Sequence, residues 1–310
     1  GISSRTKICG IFGCPLEHSF SPAMQNAAFK AAGLDYIYLP FVVAPGQLVV
    51  AVEAIRTLGL AGVNVTIPHK EAALSLLDEL SGEARLIGAV NTIVNRAGRL
   101  YGDNTDGRGF LRSLKEEAAF IPAGKTALIL GAGGAARAVA AQLALAGVKK
   151  LILSNRSSRR AVDLAGYIAK NTGVKAQTAP WPENESETLP GALLQEADLV
   201  VQATSIGMHR SNLRNGPILR GGFAGGEKNI LQTVPLPFHL FRTGQVAYDL
   251  VYNPLETVFL KKAGQAGAVT VSGLGMLLYQ GALSFEMWTG EPAPVEVMKK
   301  ALQKECYSKG

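Results

Sequence analysis

Three cysteines, Cys9, Cys14 and Cys306, are all that 310 residues contain. An odd number without paired spacing suggests neither a disulfide framework nor a zinc site, so no metal is expected. The chain also lacks any run of the roughly 20 apolar residues that span a bilayer, and no long apolar stretch marks its N-terminus as an export signal. These absences predict a soluble, cytoplasmic protein with no membrane partner. Charge is sparse as well: 18% of residues are charged and 47% hydrophobic, which excludes a disordered chain and allows a large core. The net charge of +7 is scattered along the sequence instead of gathered with aromatic residues. Nucleic-acid binding is therefore not expected, and anionic small-molecule ligands account for the balance.

A chain of this length exceeds what one core usually organises, so two domains are expected. Short apolar runs alternate with helical patterns: strand Lys7 to Gly13, helix Pro22 to Ala32, strand Tyr36 to Val43, helix Gly46 to Leu58 and strand Gly62 to Val65. A helix opening near Lys70 and a strand Ala89 to Asn95 follow. The alternation predicts βα units around a parallel sheet. A second series starts after Pro122 with strand Thr126 to Leu130, helix Gly134 to Ala146 and strand Lys150 to Ser154. Leu199 to Ala203 and Gln245 to Asp249 read as further buried strands, so this half is also doubly wound α/β. The stretch from Met208 to Thr243 is rich in Gly and Pro with little periodicity and reads as an extended loop. After Ser272 the spacing of Leu274, Leu277, Leu278, Ala282, Phe285 and Trp288 is helical.

The strand ending at Leu130 runs into Gly131-Ala132-Gly133-Gly134-Ala135-Ala136, which opens a helix. Glycines there let the backbone turn and approach a pyrophosphate held at the helix N-terminus, so strand, motif and helix together predict a dinucleotide site. An NAD site usually ends its second strand in an acidic residue. This chain has Asn155-Arg156-Ser157-Ser158-Arg159-Arg160 instead, and guanidinium groups suit the extra phosphate of NADP.

Four polar clusters sit at expected strand ends of the first half, where open α/β sheets bind ligands. They are Ser19-Phe20-Ser21, Asn64 to Lys70, Asn91-Thr92 and Asp103 to Asp106. Structural roles are available for several: Ser21 before Pro22 suits a helix cap, Asp106 could cap the next helix, and Asn91 could satisfy a turn. Lys70, expected in a first helical turn at the unfavourable end of the dipole, is a candidate acid/base.

Taken together, these motifs resemble the shikimate dehydrogenase family, including its quinate/shikimate members. The resemblance covers nearly the whole chain and rests on Ser19-x-Ser21, Gly62-x-Asn64-Val65-Thr66-x-Pro68-x-Lys70, Gly88 to Thr92, Gly102 to Gly107, the Gly131 loop, Asn155-Arg156, Tyr252-Asn253-Pro254 and Gly273-x-Gly275-Met276 to Gln280. It implies NADPH-dependent reduction of 3-dehydroshikimate to shikimate on the route to aromatic amino acids, by a monomer or homodimer with a deep interdomain cleft; the alternatives are a dual quinate/shikimate dehydrogenase and a non-catalytic NADP-binding protein of the same fold. It further implies that Lys70 and Asp106 form the catalytic pair and that Ser19 and Ser21 hold the substrate carboxylate. Asn64, Thr66, Asn91, Tyr252 and Gln280 would complete the substrate site. Gly131, Ala132, Gly133, Gly134, Ala135, Asn155, Arg156, Ser157, Arg160, Thr204, Leu250, Gly273 and Met276 would hold NADP. The implied division is 1–105, completed by 274–310, as the substrate domain, and 106–273 as a Rossmann domain. Four departures stand out: Gln202 where the family has Asn, Ser157 where it has Thr, a longer stretch from His209 to Val234, and Glu83 as the acidic residue nearest Gly82.

Overall fold

A computed structural model describes residues 1–17, 19–184, 186–208 and 233–308. The first half contains β1 (Lys7–Gly13), α1 (Ser21–Ala31), β2 (Tyr36–Val42), α2 (Leu48–Thr57), β3 (Gly62–Val65), β4 (Glu79–Leu80), α3 (Gly82–Ile87), β5 (Thr92–Arg96) and β6 (Arg99–Asp103). Its six strands lie in the order β2-β1-β3-β5-β6-β4. β1 runs parallel to β2 and β3, but β5 is antiparallel to both β3 and β6, so the sheet is mixed and not parallel as expected. The connection 66–91 returns the chain to the edge where β3 ends, so β5 opposes β3, and the two-residue turn Ala97-Gly98, with φ of 53° and 90°, then reverses β5 into β6. Positive φ at both positions matches the twist of a tight hairpin and reverses the chain at once. The expected strand Ala89 to Asn95 also starts late, at Thr92, because the Ala89 and Val90 N–H groups bond to Ala84 and Lys70 instead of a neighbouring strand.

This reversal matters for the site. The start of β5 and the ends of β1, β3 and β6 now lie along one sheet edge, and the four polar clusters are carried to it.

α4 (Asp106–Ala118) leads to β7 (Thr126–Leu130), α5 (Gly134–Leu145), β8 (Lys150–Asn155), α6 (Ser158–Thr172), β9 (Lys175–Pro180), α7 (Gly191–Glu196), β10 (Leu199–Gln202), β11 (Val246–Asp249), α8 (Val258–Gln265) and β12 (Val269–Val271). These six strands are all parallel, ordered β12-β11-β10-β7-β8-β9. From the β9 edge that is the doubly wound dinucleotide-binding order, whose direction reverses between β7 and β10. β7, β10 and β11 are buried throughout. Leu128, Leu130 and Val200 fill one face, while Ile129, Leu151, Leu153 and Val201 pack under the alanines of α5 on the other. Each such Leu, Ile or Val contributes roughly 1.5–3 kcal/mol on burial. Of the loop expected from Met208 to Thr243, 209–232 lies outside the described residues, and Phe238–Leu240 forms a single 3₁₀ turn.

The chain then returns. α9 (Leu274–Thr289) and α10 (Val295–Ser308) place Phe285, Trp288, Met298 and Leu302 in one core with Cys9, Phe29 and Tyr38 of the first sheet's layer. Trp288 Nε1 donates to the Ile93 carbonyl at 3.0 Å, fixing α9 across the sheet. Among the described residues, no helix is long and apolar enough to cross a membrane.

Candidate active site

A cavity of about 350 Å³ opens where the edges of the two sheets face each other. Its first-half lining includes Ser19, Ser21, Asn64, Thr66, Lys70, Asn91 and Asp106. Ala135, Leu250, Tyr252, Gly273, Met276 and Gln280 come from later in the chain. The structure thus brings together every residue expected to touch substrate and part of the set expected to touch cofactor.

Lys70 and Asp106 form the charged centre, with Nζ 2.7 Å from Oδ2. Lys70 lies in a turn ahead of the 3₁₀ segment Ala72–Leu76, so no α-helix opens there and the expected dipole effect does not operate. Asp106 is the first residue of α4 and the only acidic one in its first turn, where the helix dipole favours a carboxylate. It does not cap: its oxygens accept from Lys70 and from Asn91 Nδ2, the latter at 2.8 Å. Ser21 likewise is no cap. It is the first helical residue of α1, with Phe20 in the cap position and no side-chain cap bond.

Asn91 does more than satisfy a turn. Its buried amide group donates to Thr105 Oγ1 at 2.9 Å, Asp106 Oδ1 at 2.8 Å and Gln280 Oε1 at 3.3 Å, while its Oδ1 accepts the Thr105 N–H at 2.8 Å. Asn64 is held from three sides: Nδ2 donates to the Asn91 carbonyl at 3.1 Å and Ser284 Oγ at 3.0 Å, and Oδ1 accepts from the Tyr38 hydroxyl at 2.7 Å. Burial drives the Tyr38 phenol well above its usual range, so it stays a neutral donor. Thr105, from the expected Asp103 to Asp106 cluster, serves as scaffold here, as do Tyr38 and Ser284, which the sequence did not single out. These two lie in a strand and deep in a helix.

Phe20 and Tyr252 meet edge to face at 5.7 Å between ring centres, joining the loop after β1 to the loop after β11. Burial, and secondarily Cys306, raise the Tyr252 phenol, which therefore remains protonated at neutral pH. Glu83 pairs with Arg108 at 2.9 Å and is not part of the cavity lining.

The cofactor-side residues follow the C-terminal edge of the second sheet. Gly131 has φ of 118°, and a Cβ there would lie 2.9 Å from the Ala203 carbonyl oxygen, so only glycine fits. Gly133 and Gly134, at the start of α5, are exposed, and a Cβ on either would meet nothing within 4 Å. Protein packing does not require glycine at these two positions, whereas a group lying against the backbone there would. α5 has neither a side-chain cap nor an acidic residue in its first turn, leaving its N–H groups free for an anion. Asn155, Arg156, Ser157 and Arg160 lie at the turn from β8 into α6, the last three exposed. Arg156 and Arg160 have no ion-pair partner among the described residues and stand at a helix N-terminus that disfavours cations. An added phosphate would reverse that penalty. Thr204, partly buried after β10, completes the edge. The residues present therefore fit a phosphorylated dinucleotide.

The chain matches three family descriptions: "Shikimate dehydrogenase substrate binding domain" over residues 11–93, "Shikimate / quinate 5-dehydrogenase" over 116–212 and "Shikimate 5'-dehydrogenase C-terminal domain" over 273–303. It is 48% identical over 304 residues to the shikimate dehydrogenase (NADP(+)) of Desulforamulus reducens, covering 98% of this chain and 97% of that one. A shikimate dehydrogenase crystallised with NADP+ superposes with a TM-score of 0.82 at 40% identity, covering 99% of this chain and 98% of that one. The ligand-free 5-ketofructose reductase of a Gluconobacter strain gives a TM-score of 0.84 at 36% identity, covering 97% and 99%.

Proposed function

Because the chain belongs to the shikimate dehydrogenase family, we propose that its cavity carries the reversible reduction of 3-dehydroshikimate to shikimate, a step toward chorismate and the aromatic amino acids. NADP is the cofactor. The observation that carries the site assignment is the 2.7 Å Lys70–Asp106 pair, set in one cavity with Ala135, Leu250, Gly273 and Met276 of the cofactor edge.

Held along Gly131, Gly133, Gly134, Arg156 and Arg160, NADPH would supply the hydride. Lys70 provides the proton for the alkoxide that develops at the ring oxygen, and in the reverse direction takes it back. Asp106 holds the lysine toward that oxygen and is itself held by Asn91, so the ammonium position is set before substrate enters. Ser19 and Ser21 receive the carboxylate, and Asn64, Thr66, Asn91 and Gln280 offer amide and hydroxyl partners to the ring hydroxyls. Tyr252, packed on Phe20, shields the junction of substrate and cofactor from water.

The same reading divides the chain into a substrate domain, 1–105 with 274–310, and a cofactor domain, 106–273. The two separate sheets and the core shared by β1, α1, α9 and α10 support it. A monomer or a homodimer is the assembly that this reading implies. The three free thiols fit a reducing cytoplasm.

The test is nicotinamide absorbance during turnover with shikimate or quinate and NADP or NAD in all four combinations. Turnover led by shikimate with NADP is expected, and preference for quinate or NAD would overturn the substrate or cofactor assignment. 5-Ketofructose, which has no carboxylate for Ser19 and Ser21, should be a poor substrate by orders of magnitude, since unpartnered polar groups discriminate strongly.

A further inference from the structure

Asp249 ends β11 completely buried, takes no part in the mechanism above, and has no ion-pair partner among the described residues. Three donors converge on it. Oδ1 accepts from the Val251 N–H at 2.9 Å and from Gln202 Nε2 at 3.3 Å, and Oδ2 accepts from the Thr257 hydroxyl at 2.6 Å. Gln202 is buried too, and its other end faces the neighbouring loop. Its Oε1 accepts the Thr204 N–H at 2.5 Å and the Thr204 hydroxyl at 2.8 Å, and its Nε2 also reaches the Ile206 carbonyl at 2.9 Å.

A carboxylate–amide bridge therefore ties the loop after β10 to the loop after β11. Each loop presses a carbonyl against a glycine of the cofactor edge. Ala203 O takes the place of a side chain on Gly131, and Leu250 O does the same at Gly273. The bridge is longer than an asparagine at position 202 could make it by one methylene, the departure already visible in the sequence. Burial pushes the Asp249 carboxyl up to about 6, so at neutral pH the interior retains a charge that no cation among the described residues offsets. Such a charge is costly to keep, and groups perturbed in this way concentrate where function needs them.

We infer that Asp249 is a positioning residue for the cofactor: through Gln202 it fixes Thr204, and through Val251 it fixes Leu250, at the spacing the cofactor wall requires. This rests on the assignment of Thr204 and Leu250 to the cofactor wall. Asp249 itself is not part of the cavity lining.

Two variants of the full chain test it, Asp249→Asn and Gln202→Leu, with NADPH affinity measured by calorimetric titration and thermal unfolding followed at pH 7. Each should weaken NADPH by about tenfold, in line with losing a hydrogen bond to a charged group. The shikimate KM at saturating NADP should stay within about twofold, and the double variant should be little worse than either single one because both break one bridge. Asp249→Asn should unfold at no lower temperature than the parent, a result that a merely structural aspartate would not give. Unchanged NADPH affinity in both variants overturns the inference, as does a loss that follows a lower unfolding temperature and raises the shikimate KM equally. Arg156→Ala separates this from the broader reading: if that variant does not weaken NADPH, the cofactor-site assignment fails, whereas if it does and the bridge variants do not, only the role of Asp249 is lost.

Discussion

The two walls of the cavity are built on opposite terms. On the substrate wall, Asn64, Asn91, Thr105 and Asp106 are buried and already bonded to one another, so their orientations are set without ligand. On the cofactor wall, Gly133, Gly134, Arg156 and Arg160 are exposed and bond little among themselves. On the proposed assignment, the substrate wall would be pre-organised for discrimination between similar polyols. The cofactor wall would leave donors and positive charge to be satisfied by the dinucleotide. Interior charge follows the reverse pattern: buried Asp103 in the first half pairs with Arg108, whereas buried Asp249 in the second has no cation partner among the described residues.

The sharpest way to break this contrast is at the charged centre. Lys70→Ala should lower kcat by roughly 10²-fold or more with little change in KM. Steady-state kinetics that show an equal loss in both would make Lys70 a binding group. Next in size is a pH effect confined to the second half. The folded-state pKa of Asp249 is raised from 3.8 to about 6, so the folded protein binds an extra proton between those values. Stability then falls as pH rises through that window, and the ionised group costs on the order of 3 kcal/mol above it. Urea unfolding at pH 4.5 to 7 should show the parent gaining on Asp249→Asn as pH falls, and a flat difference would show that the carboxylate is not strained. Asn91→Ala should come third, destabilising by about 2 kcal/mol because the Asp106 and Thr105 groups lose their buried partner. Chemical unfolding measures this directly. Smallest is Arg156→Ala combined with Arg160→Ala, which should weaken NADPH by about tenfold and leave NADH unchanged in binding titrations. Equal losses for both cofactors would place the arginines elsewhere than at the added phosphate.

What could be read from the sequence follows the same divide. The centre of the parallel second sheet was legible because β7, β8, β10 and β11 are apolar runs, and the Gly131 loop marks where the order reverses; β9, with Lys175, Gln177 and Thr178, and the three-residue β12 carry no such run and were not expected. The hairpin of β5 and β6 was not legible, since it uses Ala97 at positive φ, a conformation that alanine rarely adopts and does not signal. Site residues stood out where they sit in short motifs at strand ends. Their supports did not, because Tyr38 reaches Asn64 across 26 positions and Ser284 reaches it across 220. Such pairings exist only once the sheet has formed and α9 has returned. Lys70 shows the converse: the residue lines the cavity although the helix that drew attention to it is a turn and a 3₁₀ segment.

The return of α9 and α10 has a consequence for how the protein is made. Synthesis proceeds from the N-terminus and domains form as their residues emerge. The second sheet is contiguous from Thr126 to Val271, so it can close while the last segment is still within the ribosome. The first sheet appears earlier yet must wait, because Phe285, Trp288, Met298 and Leu302 complete its core and Gln280 completes its pocket. A nascent chain thus closes the second sheet before the first, and an early stop codon that removes the last two helices would leave the Rossmann sheet whole, without Met276 of α9, beside an unfinished pocket.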